Sequence, residues 1–471
     1  MTPGCAGRER RLLALAVLSG FCAVSSASIA EVAPGAGLLG PGAELGEEAF
    51  DRPREVFRSE ARGGRKSYLV SLGDAAFNSP LLLGGAAKQA GISCNTCHIN
   101  GANNPRLYIP GLSGPSGTFD TSGHVFNAKA DNGVLDPASI PSLRGAHLLS
   151  PYGHDGHAVS LSDFVQDVIV NEFAGPQPAP DTLRAIVAYI DDIDFVPNSR
   201  LGTGGKLQGH VSEAESRGEA LFYRPFAHNP ELSCAVCHVP SAAFVDHRQH
   251  DVGSGGNFKT PTLLNANLNA PYFHDGRYAN YSQVVAHFDR AFYLGLSSGD
   301  RQDLVAYLQA LGSGEQAMQP DSIDARLAEI TDFLGVLDTA ISDHNPSAAT
   351  LTLDALDREL RELTEQFPER KDTSLTDGVD ERSRARSVLK ELVISFHQIS
   401  IALSRGNFTR AEELAGSALP LLRAADPTLR AAEQWSLFNR QVHDAHYAAL
   451  REIRKAAIDP ATATRQHVDL D

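Results

Sequence analysis

Cys94-Asn-Thr-Cys97-His98 and Cys234-Ala-Val-Cys237-His238 are two complete CxxCH motifs, and their reading decides the fold. Two thiols separated by two residues can reach the vinyl groups on one porphyrin edge, and the next residue then stands beneath the iron. That is the attachment signature of haem c. A CxxC alone would suit a dithiol pair or half a zinc site, but a following histidine, twice in one chain, favours haem. Cys94, Cys97, Cys234 and Cys237 are therefore assigned to two covalently bound haems, and His98 and His238 to their proximal iron ligands.

The chain has six cysteines, and the other two are Cys5 and Cys22. Both fall in residues 1–30, where Arg8, Arg10 and Arg11 precede an apolar run from Leu12 to Val24 and the small residues Ser25 to Ala30. This pattern is a secretory signal peptide cleaved after Ala27 or Ala30. Every cysteine of the mature chain is then committed to haem. The apolar run is too short to span a membrane, and no other stretch is a candidate. Haem c is attached outside the bacterial cytoplasm, so a soluble periplasmic protein is expected. A formal charge of −16 argues against nucleic acid, because phosphate contacts need a basic face.

The chain repeats itself. Leu72-Gly-Asp-Ala-Ala-Phe77 precedes the first CxxCH and Arg217-Gly-Glu-Ala-Leu-Phe222 the second. Ile140-Pro-Ser-Leu143 and Thr260-Pro-Thr-Leu263 follow them, then Ser150-Pro-Tyr-Gly-His-Asp-Gly156 and Ala270-Pro-Tyr-Phe-His-Asp-Gly276. Each half closes on a helical stretch, Leu183 to Ile190 and Asp303 to Leu308. The expectation is two tandem haem domains, residues 66–200 and 209–313, preceded by a linker (31–65) and joined by Gly202-Thr-Gly-Gly205. The intervening stretches, rich in Gly, Pro, Asn and Ser, read as loops wrapped around a buried cofactor.

Beyond Asp321 the composition changes. Ile323 to Ile341, Leu351 to Phe367, Ser383 to Leu403, Arg410 to Leu422 and Pro427 to Ile453 carry apolar residues at helical spacing. The fold class expected is mostly α, with the haem domains followed by a C-terminal bundle of four or five helices over 321–460. Trp435 reads as core, and His443 and His446 as surface.

The order LF, CxxCH, TPTL, PYxHDG, helix resembles the di-haem cytochrome c peroxidase and MauG superfamily. The second half carries the likeness most fully, in Leu232-Ser-Cys-Ala-Val-Cys-His238, Asp246-His-Arg-Gln-His-Asp-Val-Gly253, Phe258-Lys-Thr-Pro-Thr-Leu263 and Pro271-Tyr-Phe-His-Asp-Gly-Arg277. The resemblance covers roughly residues 66–313. It implies paired α-helical haem domains, a first haem that reacts with hydrogen peroxide and a second that relays or stores electrons. Peroxide chemistry needs an iron with an open or displaceable site and a group that moves a proton between the oxygens.

The resemblance nominates residues for these tasks. Ser122-Gly-His124 is similar to the loop that supplies a switchable ligand, with His147 and His157 as rivals. Glu172, in Asn171-Glu172-Phe173, stands near the place of the acid–base group, where desolvation would raise its pKa. His154 and His274 fill equivalent slots, as groups that bond a haem propionate or backbone; Asp155 and Asp275 brace the same turns. The first of these slots commonly holds a tryptophan in the family, and residues 31–434 contain none. At the second haem the methionine or tyrosine ligand position reads Phe288, which leaves His287, Tyr293, a distant Met318 or no side chain at all.

The leading expectation is an oxidoreductase that uses hydrogen peroxide, with a small redox protein or a protein substrate as partner. An electron-transfer cytochrome with a helical docking module is the alternative, and a redox sensor or scaffold a third. A calcium ion is left open.

Overall fold

A serine precedes each CxxCH, and in the computed structural model each motif folds as one helical turn, Cys94–Cys97 and Cys234–Cys237. Ser93 and Thr96 form a capping box at the first, with the Ser93 amide donating to the Thr96 hydroxyl at 3.1 Å. The structure describes residues 39, 42–46, 48–61, 63–369 and 377–458. The expected signal peptide, with Cys5 and Cys22, lies outside them.

The glycine repeated between Leu72-Gly-Asp and Arg217-Gly-Glu has a packing reason. Helix Tyr68–Asn78 crosses Pro180–Asp192, and Glu213–Tyr223 crosses Ser298–Leu311. A Cβ at Gly73 would lie 2.0 Å from the Ala185 carbonyl oxygen, and one at Gly218 would lie 2.0 Å from that of Asp303. Any side chain would push the helices apart. Each crossing buries a matched aromatic pair, Phe77 with Tyr189 at 5.0 Å and Phe222 with Tyr307 at 5.2 Å.

The strands are few and short. Thr118–Phe119 pairs antiparallel with Ala138–Ser139, and Gln249–Asp251 with Asn257–Lys259. The two repeats meet by a reciprocal exchange across these strands. The Ser139 amide donates to the His274 carbonyl at 2.7 Å, and the Lys259 amide to the His154 carbonyl at 2.9 Å. Both His-Asp-Gly loops are thereby brought to one interface. The long stretch between the first CxxCH and Ala138 is no loose loop, because Leu107, Ile109, Leu112, Phe119 and Phe126 are all buried.

Five long helices follow: Ile323–Ser342, Pro346–Glu365, Val379–Ser404, Phe408–Ala432 and Arg440–Ile458. The break expected at Pro427 is absent, for Phe408–Ala432 continues through both Pro420 and Pro427. A mid-helix proline loses a hydrogen bond and clashes with the preceding turn. Burial of Leu422, Ala425, Leu429 and Ala432 on the inner face offsets that cost. His443 and His446 are a correction: each is only 8% exposed, because their face of the last helix turns inward, with His443 edge-on to Phe50 at 5.2 Å. Trp435 is part-buried and covers Gly378.

The apolar core of these helices is continuous with that of the first repeat. Leu72, Ala75 and Ala185 pack in one cluster with Ile330, Phe333 and Leu337, while Leu351 belongs to the cluster of Phe77 and Ile186. Among the described residues, no helix is long and apolar enough to cross a membrane.

Candidate functional site

Each CxxCH histidine is already oriented by the chain. His98 Nδ1 lies 2.9 Å from the Pro141 carbonyl and His238 Nδ1 lies 3.2 Å from that of Phe244. An Nδ1–H spent on a carbonyl leaves Nε2 as the metal-binding nitrogen. Desolvation pushes His98 down to about 4 against the pull of Pro141, and lowers His238 as well. Both rings are thus neutral near pH 7, the form that ligates a metal.

The thiols fit the same group. Burial pushes Cys94, Cys97 and Cys234 up to about 12 and also raises Cys237, and none of the four is in a disulfide. Zinc would need thiolates, whereas thioether formation adds a neutral S–H across a vinyl. Beside Cys237 opens a cavity of about 580 Å³ lined by Val239, Val245, Val252 and Phe292 on one side and by Asp246, His250 and Asp251 among its polar residues. Neutral imidazole and unpaired thiols at both motifs, with a mixed cavity at the second, suit a covalently held porphyrin.

Glu172 ends a wide turn. Helix Leu161–Asp167 passes directly into the π-helical turn Val168–Glu172, a local widening frequent at functional sites. The next residue, Phe173, anchors it against Phe119 and Phe126, with ring centroids 6.1 and 5.6 Å away. Burial pushes the Glu172 carboxyl up to about 7, with Asp167 adding to the rise and a Thr121 hydrogen bond opposing it. Glu172 adds last, after burial and Cys94, to the rise of the Cys97 thiol, so its charge is felt at the first CxxCH.

The other nominated residues are placed less uniformly. His124 faces solvent, 77% exposed, with Nδ1 3.4 Å from Asp131. Its rival His157 is tied to Asp155 at 2.6 Å, and His147 sits in the short turn Ala146–Leu148. His154 is held by its Nε2, 2.8 Å from the Ser139 carbonyl. His274 stacks on Phe258 with centroids 3.6 Å apart and planes 11° from parallel. Asp155 and Asp275 do brace their turns, accepting from the amides of His157 and Arg277, each at 3.2 Å.

Around the second CxxCH the alternative ligands fall away. Tyr278 Oη lies 3.0 Å from His287 Nδ1, and His287 Nε2 lies 2.8 Å from the Val252 carbonyl, so neither nitrogen is spare. Tyr293 is 75% exposed. Met318 lies in strand Met318–Pro320, opposite Pro53, whose carbonyl accepts from Asn100 just after the first CxxCH. Its backbone is held in that strand, and its side chain is exposed. Phe288 sits among Phe273, His287 and Phe292.

Three features were missed by sequence reasoning. Asp246 and His250 pair at 2.6 Å, and their ligand atoms lie within 4.8 Å of the Cys237 sulfur; for this pair the i,i+4 spacing was a signal. Lys259 is pulled down to about 8 by burial, with Nζ donating to the Leu149 and Pro151 carbonyls. Arg358, far along the chain, ends at the first CxxCH turn.

The family described as di-haem cytochrome c peroxidase matches residues 212–361. That range reaches beyond 313, through helix Ile323–Ser342 and into Pro346–Glu365. Methylamine utilization protein MauG of Methylorubrum extorquens is 30% identical over 304 residues, covering 51% of this chain and 77% of that protein. Hydrazine synthase subunit gamma of Kuenenia stuttgartiensis is 23% identical over 326 residues, covering 56% and 83%. A solved MauG-like protein associated with microbial copper homeostasis is 17% identical, with a TM-score of 0.37, over 55% of this chain and 92% of the other.

Proposed function

The chain belongs to the di-haem cytochrome c peroxidase family, and on that premise we propose that it is a periplasmic oxidoreductase that uses hydrogen peroxide. Residues 66–200 and 209–313 would each hold one haem c, through Cys94, Cys97 and His98 and through Cys234, Cys237 and His238. Residues 321–460 would form a helical part, its described helices lying between Ile323 and Ile458. When bound, haem c supplies an iron that can pass electrons to a peroxide O–O bond.

Glu172 carries the reading. Reduction of peroxide to two waters takes two electrons and two protons, and one proton already on the substrate must move from one oxygen to the other. A carboxyl pushed up to about 7, whose charge is felt at Cys97, can accept that proton and return it near neutral pH. The two electrons come from a small redox protein, or from a protein substrate that is itself oxidised.

His124 can act as a displaceable ligand only if its loop moves, since the side chain points to solvent. At the interface between the repeats His154 fills the slot where the family commonly has tryptophan, and His274 stacks on Phe258. Imidazole and phenyl rings are much harder to oxidise than indole. Electrons would therefore cross between the haems without resting on an oxidised side chain. Stopped-flow mixing of the ferric protein with peroxide tests the assignment: Glu172→Gln should be slowed by roughly 10²-fold or more, and an unchanged rate would remove Glu172 from the reaction.

A further inference from the structure

The C-terminal helices contain no CxxCH, yet one of their side chains ends at the first motif. Arg358, on Pro346–Glu365, donates from Nη1 to the Ser93 hydroxyl and to the Asn78 carbonyl, the latter at 3.0 Å. Ser93 is 1% exposed and caps the Cys94–Cys97 turn, and Asn78 ends the long helix before it. One turn earlier, Asp354 accepts from the Ser79 hydroxyl at 2.6 Å and the Leu81 amide at 2.9 Å. A single helix face thus grips both elements that frame the first attachment turn.

The grip also carries charge. Arg358 opposes the burial-driven rise of the Cys94 thiol, so its positive field reaches that sulfur. Its Nε donates to Glu362 at 2.9 Å, and Glu362 also accepts from Arg326 at 2.8 Å. The second repeat is built differently. There the cation that acts on Cys234 is Arg224, which is exposed and follows directly on helix Glu213–Tyr223 of the same repeat. The second motif has no capping box, because Val236 stands where the first motif has Thr96.

We propose that Arg358 is a positioning residue of the first haem, holding its attachment turn through Ser93 and setting a part-buried positive charge at that turn. The inference rests on the haem assignment of Cys94 to His98. A nearby cation would favour the reduced iron, which carries one positive charge fewer, and low surrounding dielectric strengthens the effect. The first haem's potential is thereby raised, and Glu362, of opposite sign, moderates it.

The test is a spectroelectrochemical titration of the full-length protein, after intact mass has shown two haems. The double variant Cys94→Ala with Cys97→Ala identifies the first haem's midpoint by its disappearance. Arg358→Gln should shift that midpoint down, Glu362→Gln should shift it up, and Arg358→Lys should fall between Arg358→Gln and wild type. The second midpoint should stay in place throughout. Opposite signs separate a charge effect from loosening of the turn, which would move the midpoint the same way in both variants. Shifts of one sign, equal shifts at both haems, or no shift would overturn the proposal. If Arg358→Gln does not accumulate, Glu362→Gln and Arg358→Lys decide it, because the first must still rise and the second must not. A wild-type protein with fewer than two haems would instead defeat the haem assignment.

Discussion

Glu172→Gln separates two consequences of one part-buried carboxyl. Holding that group at about 7 rather than 4.5 corresponds to ~3 kcal/mol against its ionised form. A carboxyl whose folded pKa is raised binds its proton more tightly in the folded state. Its contribution to stability is therefore fully present below pH ~4.5 and is lost as pH rises through about 7. Glutamine carries no charge to desolvate. The variant should match wild type near pH 4 and exceed it by up to ~3 kcal/mol at pH 8. Function should move the other way. The carboxylate is the base, and its fraction grows roughly tenfold between pH 6 and pH 8 for a pKa near 7. The peroxide rate of the wild type should rise with that fraction, while the variant stays slow and flat. Chemical denaturation and stopped-flow absorbance across pH 4 to 9 measure both. A wild-type rate flat across neutral pH, or a variant less stable at pH 8, would refute the reasoning.

The remaining predictions address packing and ligands. Gly73→Ala and Gly218→Ala place a methyl 2.0 Å from a carbonyl oxygen and should each cost at least ~2 kcal/mol in denaturant unfolding; an unshifted midpoint would contradict the close crossing. Met318→Leu should leave the visible and near-infrared spectra of both haems unchanged, since Met318 pairs with Pro53, and a thioether band lost in the variant would place Met318 at an iron. His124→Ala should leave the resting ferric spectrum as it is, because the side chain faces solvent. A changed resting spectrum would show that His124 already occupies the site.

Local chemistry was legible in the sequence, and long-range chemistry was not. The CxxCH spacing specifies its donors within five residues, so the orientation of His98 and His238 agrees with what the motif demands. The repeat was visible as words, and the structure supplies the reason for one of them in the glycine that lets two helices touch. Glu172 could be nominated because a family places a carboxylate there; its raised pKa comes first from burial, which depends on tertiary neighbours that no short window reveals. The surface assignment of His443 and His446 failed because helical spacing shows that a face exists, not which neighbour covers it. Pro427 misled for the same reason, as tertiary burial overrode a local breaker. Arg358 lies some 265 residues from Ser93, and nothing between them announces the contact.

The central claim is an iron that peroxide can reach beside Glu172. Electron paramagnetic resonance of the fully ferric protein, before and after one equivalent of hydrogen peroxide, tests it most directly. A high-spin ferric signal that is lost on mixing, in wild type but far more slowly in Glu172→Gln, is the predicted result. Two low-spin haems that ignore peroxide would contradict the account and make the protein an electron carrier.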